Sequence, residues 1–290
     1  MDLICIKRKY RNIRRTIICS FFITVFIYAF LLINHVYAEK RKETIFEDFA
    51  VISKILTEQE IKKEEEAPKT KILTEQEIEN IKKIYKSEEK RVFLTFDDGP
   101  SKKVTIPILN LLKEENIKAN FFVLGSRVDL YPGIVKRAYE EGHYIANHGY
   151  SHKYSQIYES SKSVLNEYNK TNQAIRNAIG NQMYNANIFR FPGGSVGGTY
   201  NDLKKEAKAL LEKKNIASVD WNALNGDAEG VKTEKALLER VKETVENRNS
   251  VVILMHDAAD KIKTYNALPK VIEFLRQEGY EFKTFYDILD

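Results

Sequence analysis

Arg91-Val92-Phe93-Leu94-Thr95-Phe96-Asp97-Asp98-Gly99 is the stretch on which the fold turns. A largely apolar run ends abruptly in two carboxylates and the first glycine of the chain. That pattern reads as a buried strand delivering polar groups at its C-terminal end. Strands and helices then alternate. Helical periodicity covers 104–115, 129–141, 160–179, 201–214, 233–247 and 265–278. Strand-like segments cover 119–124, 144–147, 188–191, 216–221, 250–255 and 281–284. The alternation predicts an α/β fold, with βα units around a parallel sheet that is open or closed into a barrel. In barrels of this kind the chemistry sits at the C-terminal ends of the strands.

The polar residues of the chain obey that rule. Asp97 and Asp98 follow the first strand, and His148 and His152 the third. Arg190 ends a later strand, with Pro192-Gly193-Gly194 just beyond it. Asp227 follows the strand that holds Trp221, and His256-Asp257 follows the strand 250–255. Two imidazoles four residues apart, on a helix or a tight turn, can face one point, and one carboxylate beside them completes a catalytic metal set with open positions. Alone, such a pair is more often two surface or core-satisfied histidines than a metal site. Adjacent aspartates also fit a solvated turn, and Arg190 fits a structural ion pair. The sharper reading gives the carboxylates separate duties, one binding metal and one free as a base beside Arg190.

These residues resemble the motifs of the NodB-homology polysaccharide deacetylases, carbohydrate esterase family 4. Thr95-Phe96-Asp97-Asp98-Gly99 is similar to the first motif and His148-Gly149-Tyr150-Ser151-His152 to the second. Arg190-Phe191-Pro192-Gly193 resembles the third, Asn225-Gly226-Asp227 part of the fourth, and Leu254-Met255-His256 the fifth, in the family's order. The resemblance implies a distorted (β/α) barrel over residues 91–290. It implies one divalent metal ion on Asp98, His148 and His152, usually zinc and in some members cobalt or nickel. It also implies Asp97 as base, held by Arg190, and His256 as acid, held by Asp227, with Asp220 in reserve. The Gly193 N–H would serve the oxyanion. Leu254 would line the acetyl pocket; Trp221, the only tryptophan, fits either a cover for part of that pocket or a plain core residue. Three positions depart from the family: Gly193 stands where a Tyr is frequent, Leu224 where an earlier Asp is usual, and Ala228 where an aromatic often follows.

Upstream the character changes. The formal charge of +5 is carried by residues 1–15, and the rest holds 40 positive and 40 negative side chains. A neutral body excludes a general polyanion binder, so no nucleic-acid partner is expected. The two cysteines, Cys5 and Cys19, lie at the N-terminus, which excludes thiol chemistry downstream. After the basic run, residues 16–38 are free of Asp, Glu, Lys and Arg. That segment is expected to be either a membrane signal-anchor or a signal peptide cleaved after Ala38. Residues 39–90 are rich in Lys and Glu and contain the octapeptide Lys54–Ile61 repeated as Lys71–Ile78. Each copy predicts a short amphipathic helix with a Thr-x-x-Glu capping box, and the segment as a whole a charged, partly helical stalk.

The expected arrangement is therefore 1–38 export segment, 39–90 stalk and 91–290 catalytic domain, monomeric and outside the cytoplasm. It is expected to act on N-acetylglucosamine of cell-wall peptidoglycan. N-acetylmuramic acid, chitin-type, poly-N-acetylglucosamine and O-acetylated polysaccharides stay open within the same chemistry. A wall-binding protein with a dead site is the reading from another class.

Overall fold

β1 (Arg91–Asp97) sorts its two faces by the period of two that a strand imposes. Val92, Leu94 and Phe96 join an apolar layer shared with the helices, whereas Phe93 joins a second, inner cluster. Thr95 and Asp97 therefore share the inner face with Phe93. β7 (Ser250–His256) runs parallel to β1 along its whole length, from Arg91 opposite Ser250 to Asp97 opposite His256. It repeats the sorting: Val251, Ile253 and Met255 lie in the outer layer and Val252 in the inner cluster.

A strand has two edges, and β7 occupies one of them completely. The other is shared. β2 (Asn120–Val123) pairs with Thr95–Asp97 at the top, and β8 (Glu281–Phe282) with Arg91–Val92 at the bottom. The sheet continues through β3 (Tyr144–Asn147), β4 (Ile188–Phe189) and β5 (Ala217–Ser218) on one side and β6 (Ala223–Leu224) on the other, all parallel. The result is a curled parallel half-barrel whose outermost strands, β5 and β6, are joined by residues 219–222.

The computed structural model describes residues 72–289 and, before them, Asn34, His35, Arg41, Val51, Ser53 and Lys54. The expected membrane segment and the first octapeptide copy otherwise lie outside the described residues. Among those described, no helix is long and apolar enough to cross a membrane. The chain divides into two compact units after Ala67, and the sheet belongs to the second.

Two expectations change. Beyond α2 (Thr105–Glu114), residues 129–141 fall in two helices, α3 (Gly125–Leu130) and α4 (Pro132–Glu140), not one. Pro132 has no N–H to continue the first helix, and it drives Tyr131 out of the helical region, to φ −134° and ψ 54°. The boundary expected at residue 91 also moves upstream. The second octapeptide copy leads into α1 (Glu75–Lys82), capped by Thr74 and Glu77 in the expected reciprocal box. Leu73, Ile81 and Ile84 are buried against Phe93, Phe285 and Ile288 in the inner cluster. The Ile84 carbonyl accepts from Arg91 and Ser250, at the starts of β1 and β7. α1 thus closes the floor of the half-barrel, opposite the strand ends that carry the polar clusters.

Candidate active site

Asp98, His148 and His152 meet just past the ends of β1 and β3. Asp98 is in the left-handed region at φ 73°, unusual for a residue with a side chain. Gly99 follows because a Cβ there would overlap the buried Asp257 carboxylate. The Nδ1 of His148 is 2.8 Å from the Arg190 carbonyl oxygen. That acceptor assigns the proton to Nδ1 and leaves Nε2 bare toward the site. Burial pushes the His148 pKa down to about 3, so the ring stays neutral, as a metal ligand must be.

His152 arrives on a turn, not a helix. Glu167, on α6 (Ser161–Ile179), pins that turn by accepting from the Tyr150 and Ser151 N–H groups at 2.6 and 2.7 Å. Asp98 Oδ1 lies 3.2 Å from His152 Nε2 and 3.5 Å from His148 Nε2. Ligands about 2.0–2.2 Å from a tetrahedral ion stand roughly 3.3–3.6 Å apart, so the spacing suits one cation. Oδ1 of Asp98 is buried and accepts no hydrogen bond, which a cation would remedy. The residues present fit a divalent metal, with room for further ligands on the open side. That side is a cleft of about 500 Å³ lined by Asp98, Ser126, Arg127, Leu130, Ser151 and His152.

Asp97 sits below this triad, almost fully buried. Its Oδ1 accepts from Arg190 Nη1 at 2.7 Å, and its Oδ2 is 3.7 Å from His148 Nε2. Arg190 is wholly buried, donates to the Val219 and Asp220 carbonyls and to Thr95 Oγ1, and lies over the Phe122 ring. Burial raises the Asp97 pKa, and Arg190 and His256 offset that only in part.

His256, at the end of β7, forms the other half. Its Nδ1 is 2.7 Å from Asp227 Oδ1, and its backbone N–H donates to Asp227 Oδ2 at 2.9 Å. Thr264 and Lys261 fix Asp227 in turn. Burial lowers the His256 pKa, but the Asp227 hydrogen bond and charge, with Asp97 and Asp98, outweigh it and bring it to about 9. Burial works against the Asp227 carboxylate too, but its bonds to His256 and Thr264 hold its pKa below the usual value.

The remaining expected residues are distributed around this centre. Gly193 is exposed at φ 75°, and its N–H makes no hydrogen bond among the described residues. Leu254 is buried on β7 opposite Thr95 and Leu224. Trp221 is half-buried under the same loop, 3.2 Å from where a Gly194 Cβ would stand. Asp220 does not reach His256. Its carboxylate takes the Ser195 N–H and hydroxyl, which leaves the His256 role to Asp227. Glu167 and Thr264 carry no mark in the sequence, each being an ordinary polar residue on a helix. Asp257 was visible beside His256, yet its burial and its bond to Thr105 Oγ1 at 2.6 Å were not. A second hollow of about 530 Å³ lies between α1 and β5. Asp220 lines it, but none of the metal-binding, base or acid candidates does.

The polysaccharide deacetylase family matches residues 84–212. A peptidoglycan-N-acetylglucosamine deacetylase of Bacillus cereus is 33% identical over 205 residues, 69% of this chain and 71% of that protein. The peptidoglycan-N-acetylglucosamine deacetylase PgdA of Listeria monocytogenes is 35% identical over 67% of this chain, but only 38% of its own length is spanned. The solved structure of a Streptococcus mutans CE4 esterase superposes with a TM-score of 0.65 at 30% identity, covering 71% of this chain and 90% of that one.

Proposed function

The chain belongs to the polysaccharide deacetylase family, and on that premise we propose that it is a metal-dependent hydrolase that removes N-acetyl groups from N-acetylglucosamine of peptidoglycan. One observation carries the reading. Beside a three-ligand cation cradle stand a buried carboxylate clamped by Arg190 and an imidazole kept protonated by Asp227.

Asp98, His148 and His152 would hold the ion, zinc being the first candidate from their oxygen and nitrogen donors. When bound, it polarises the amide carbonyl and eases deprotonation of the attacking water. Asp97 takes the proton of that water as its oxygen bonds to the carbonyl carbon. Arg190 holds the Asp97 carboxylate in line through the attack. The N–H of Gly193, which makes no hydrogen bond among the described residues, would donate to the carbonyl oxygen as charge gathers on it. The carbon–nitrogen bond then breaks, and His256 Nε2 gives its proton to the departing amine, so acetate and a free amino sugar result. Leu254 would border the acetyl methyl, and Trp221 would support the Gly193–Gly194 loop. Residues 1–38 would export the chain and either anchor it or be removed, with residues 39–67 as spacer and the polysaccharide as partner outside the cytoplasm.

The test is acetate release by the full chain, metal-stripped and then resupplied with zinc or cobalt, on peptidoglycan and on chitooligosaccharides. Release restored by metal, and faster on peptidoglycan, is expected. Preference for chitooligosaccharides would move the substrate, and no release from folded, metal-loaded protein would sink the enzyme reading.

Two variants examine the roles. His152→Ala should weaken metal binding by more than about 100-fold, beyond what the loss of an outer partner does. Unchanged metal stoichiometry under dilution would remove His152 from the ligand set. Asp227→Asn should move the alkaline limb of kcat. His256 acts as an acid only below its pKa of about 9. Without the Asp227 charge, burial dominates, and the limb should fall to roughly the ordinary histidine value of 6.5 or lower. A limb that stays near 9 would separate it from the His256–Asp227 pair.

A further inference from the structure

The glycine at position 193 leaves a space, and the structure fills it. An ideal Cβ on Gly193 would lie 2.5 Å from the phenol oxygen of Tyr154. Tyr154 opens a short helix, α5 (Tyr154–Ile157), two residues after His152. Its ring meets the His152 ring edge-on, with centroids 5.8 Å apart, and on another side meets Tyr158 at 5.5 Å. Tyr158 is itself fixed, because its hydroxyl donates to the Pro192 carbonyl at 2.6 Å. The Tyr154 ring is thus held between a candidate metal ligand and the residue that pins the Pro192–Gly193 loop. Its hydroxyl makes no hydrogen bond among the described residues, and the residue is 40% exposed.

We propose that Tyr154 is a further catalytic residue, whose hydroxyl donates a hydrogen bond to the oxygen that gains charge when the acetyl carbonyl is attacked. The proposal rests on the deacetylase reading above. Three features favour this oxygen over bulk water as the partner. The hydroxyl stands against Gly193, whose own N–H makes no hydrogen bond among the described residues. The rings on either side hold it in place before substrate arrives, so little reorganisation is needed as charge develops. A side chain at position 193 would occupy the space the hydroxyl takes, so the glycine and the tyrosine belong together. The departure at Gly193 then does not leave the site short of a group but exchanges one wall of it for a donor.

The test compares Tyr154→Phe with wild type in the full chain, reading kcat, KM and metal content with zinc-loaded protein on peptidoglycan and chitooligosaccharides. Loss of a donor to a developing oxyanion predicts a fall in kcat of about 10- to 100-fold, somewhat less than is seen when a buried backbone-flanked donor is removed. KM and metal stoichiometry should stay as in wild type, because the ring that packs on His152 remains. Tyr154→Leu removes the ring as well and should lose at least as much kcat. Wild-type kcat in Tyr154→Phe with a loss only in Tyr154→Leu would make the residue a packing element and overturn the proposal. A rise in KM at unchanged kcat would overturn it too, assigning the hydroxyl to uniform substrate binding. A wild type that releases no acetate would fail together with the deacetylase reading, whereas an active wild type matched by Tyr154→Phe fails for Tyr154 alone.

Discussion

Asp97→Asn should keep its metal and lose about 10²- to 10⁴-fold in kcat, the range over which a positioned base contributes. The asparagine amide is nearly the shape of the carboxylate, and its oxygen can still accept from Arg190 Nη1, now 2.7 Å from Asp97 Oδ1. Asp97 is outside the group formed by Asp98, His148 and His152, so metal stoichiometry is expected to be unaltered. What disappears is the ability to take a proton. Burial has raised the Asp97 pKa from the ordinary value, which brings a carboxylate nearer the pKa a base needs at neutral pH. Metal analysis beside steady-state acetate release checks the claim, and wild-type turnover in the asparagine variant would remove Asp97 as the base.

Arg190→Met should cost about 3–5 kcal/mol of stability at neutral pH, the loss typical when one partner of a buried ion pair is removed. The residue is wholly buried, and Asp97 is 2% exposed, so neither can turn to water. Without the guanidinium, Asp97 keeps the burial that raises its pKa and loses the largest influence that lowers it. Its folded pKa then lies further above the unfolded value of about 3.9. Between those two values the folded state binds more protons than the unfolded one, so stability falls as pH rises through that window. The variant should accordingly regain stability on acidification toward the unfolded pKa, relative to wild type. Arg190→Met combined with Asp97→Asn should be more stable at neutral pH than Arg190→Met alone. Urea denaturation at several pH values tests both statements, and a loss independent of pH would assign the cost to packing on Phe122.

Much of this architecture was legible in the chain because strand ends in a parallel barrel are marked twice. Asp97-Asp98-Gly99 after β1 and His256 after β7 combine an apolar run with a sudden polar stop, and the register pairs them, Asp97 beside His256. The long helices were visible by period. The short strands β4 and β5 were expected to be longer, to residues 191 and 221. The ladder does run on, through Arg190 N–H to the Asn147 carbonyl and Val219 N–H to the Phe189 carbonyl. Their regular pairing nevertheless covers two residues each. The helix α1 and its capping box were legible, but its docking into the domain was hidden for a different reason. Its charged residues dominate its composition, and its burial depends on a few apolar side chains meeting an inner cluster assembled from residues 93 to 289. Tyr154 was invisible because its meaning comes from Gly193, 39 positions later, and no local pattern links the two.

The duplicated octapeptide has one consequence of its own. Lys54–Ile61 and Lys71–Ile78 are identical, so the chain carries an internal competitor for the place α1 occupies. The residues downstream of each copy break the tie. Seventeen residues before the buried Ile81 and Ile84 stand Glu64 and Ala67. A slip that seated the first copy would put a carboxylate into the apolar floor, at a cost on the order of several kcal/mol, and would leave the space of the Ile84 side chain half empty. Eight shared residues thus supply the same helix start twice, and the non-repeated residues after them decide which copy the barrel accepts.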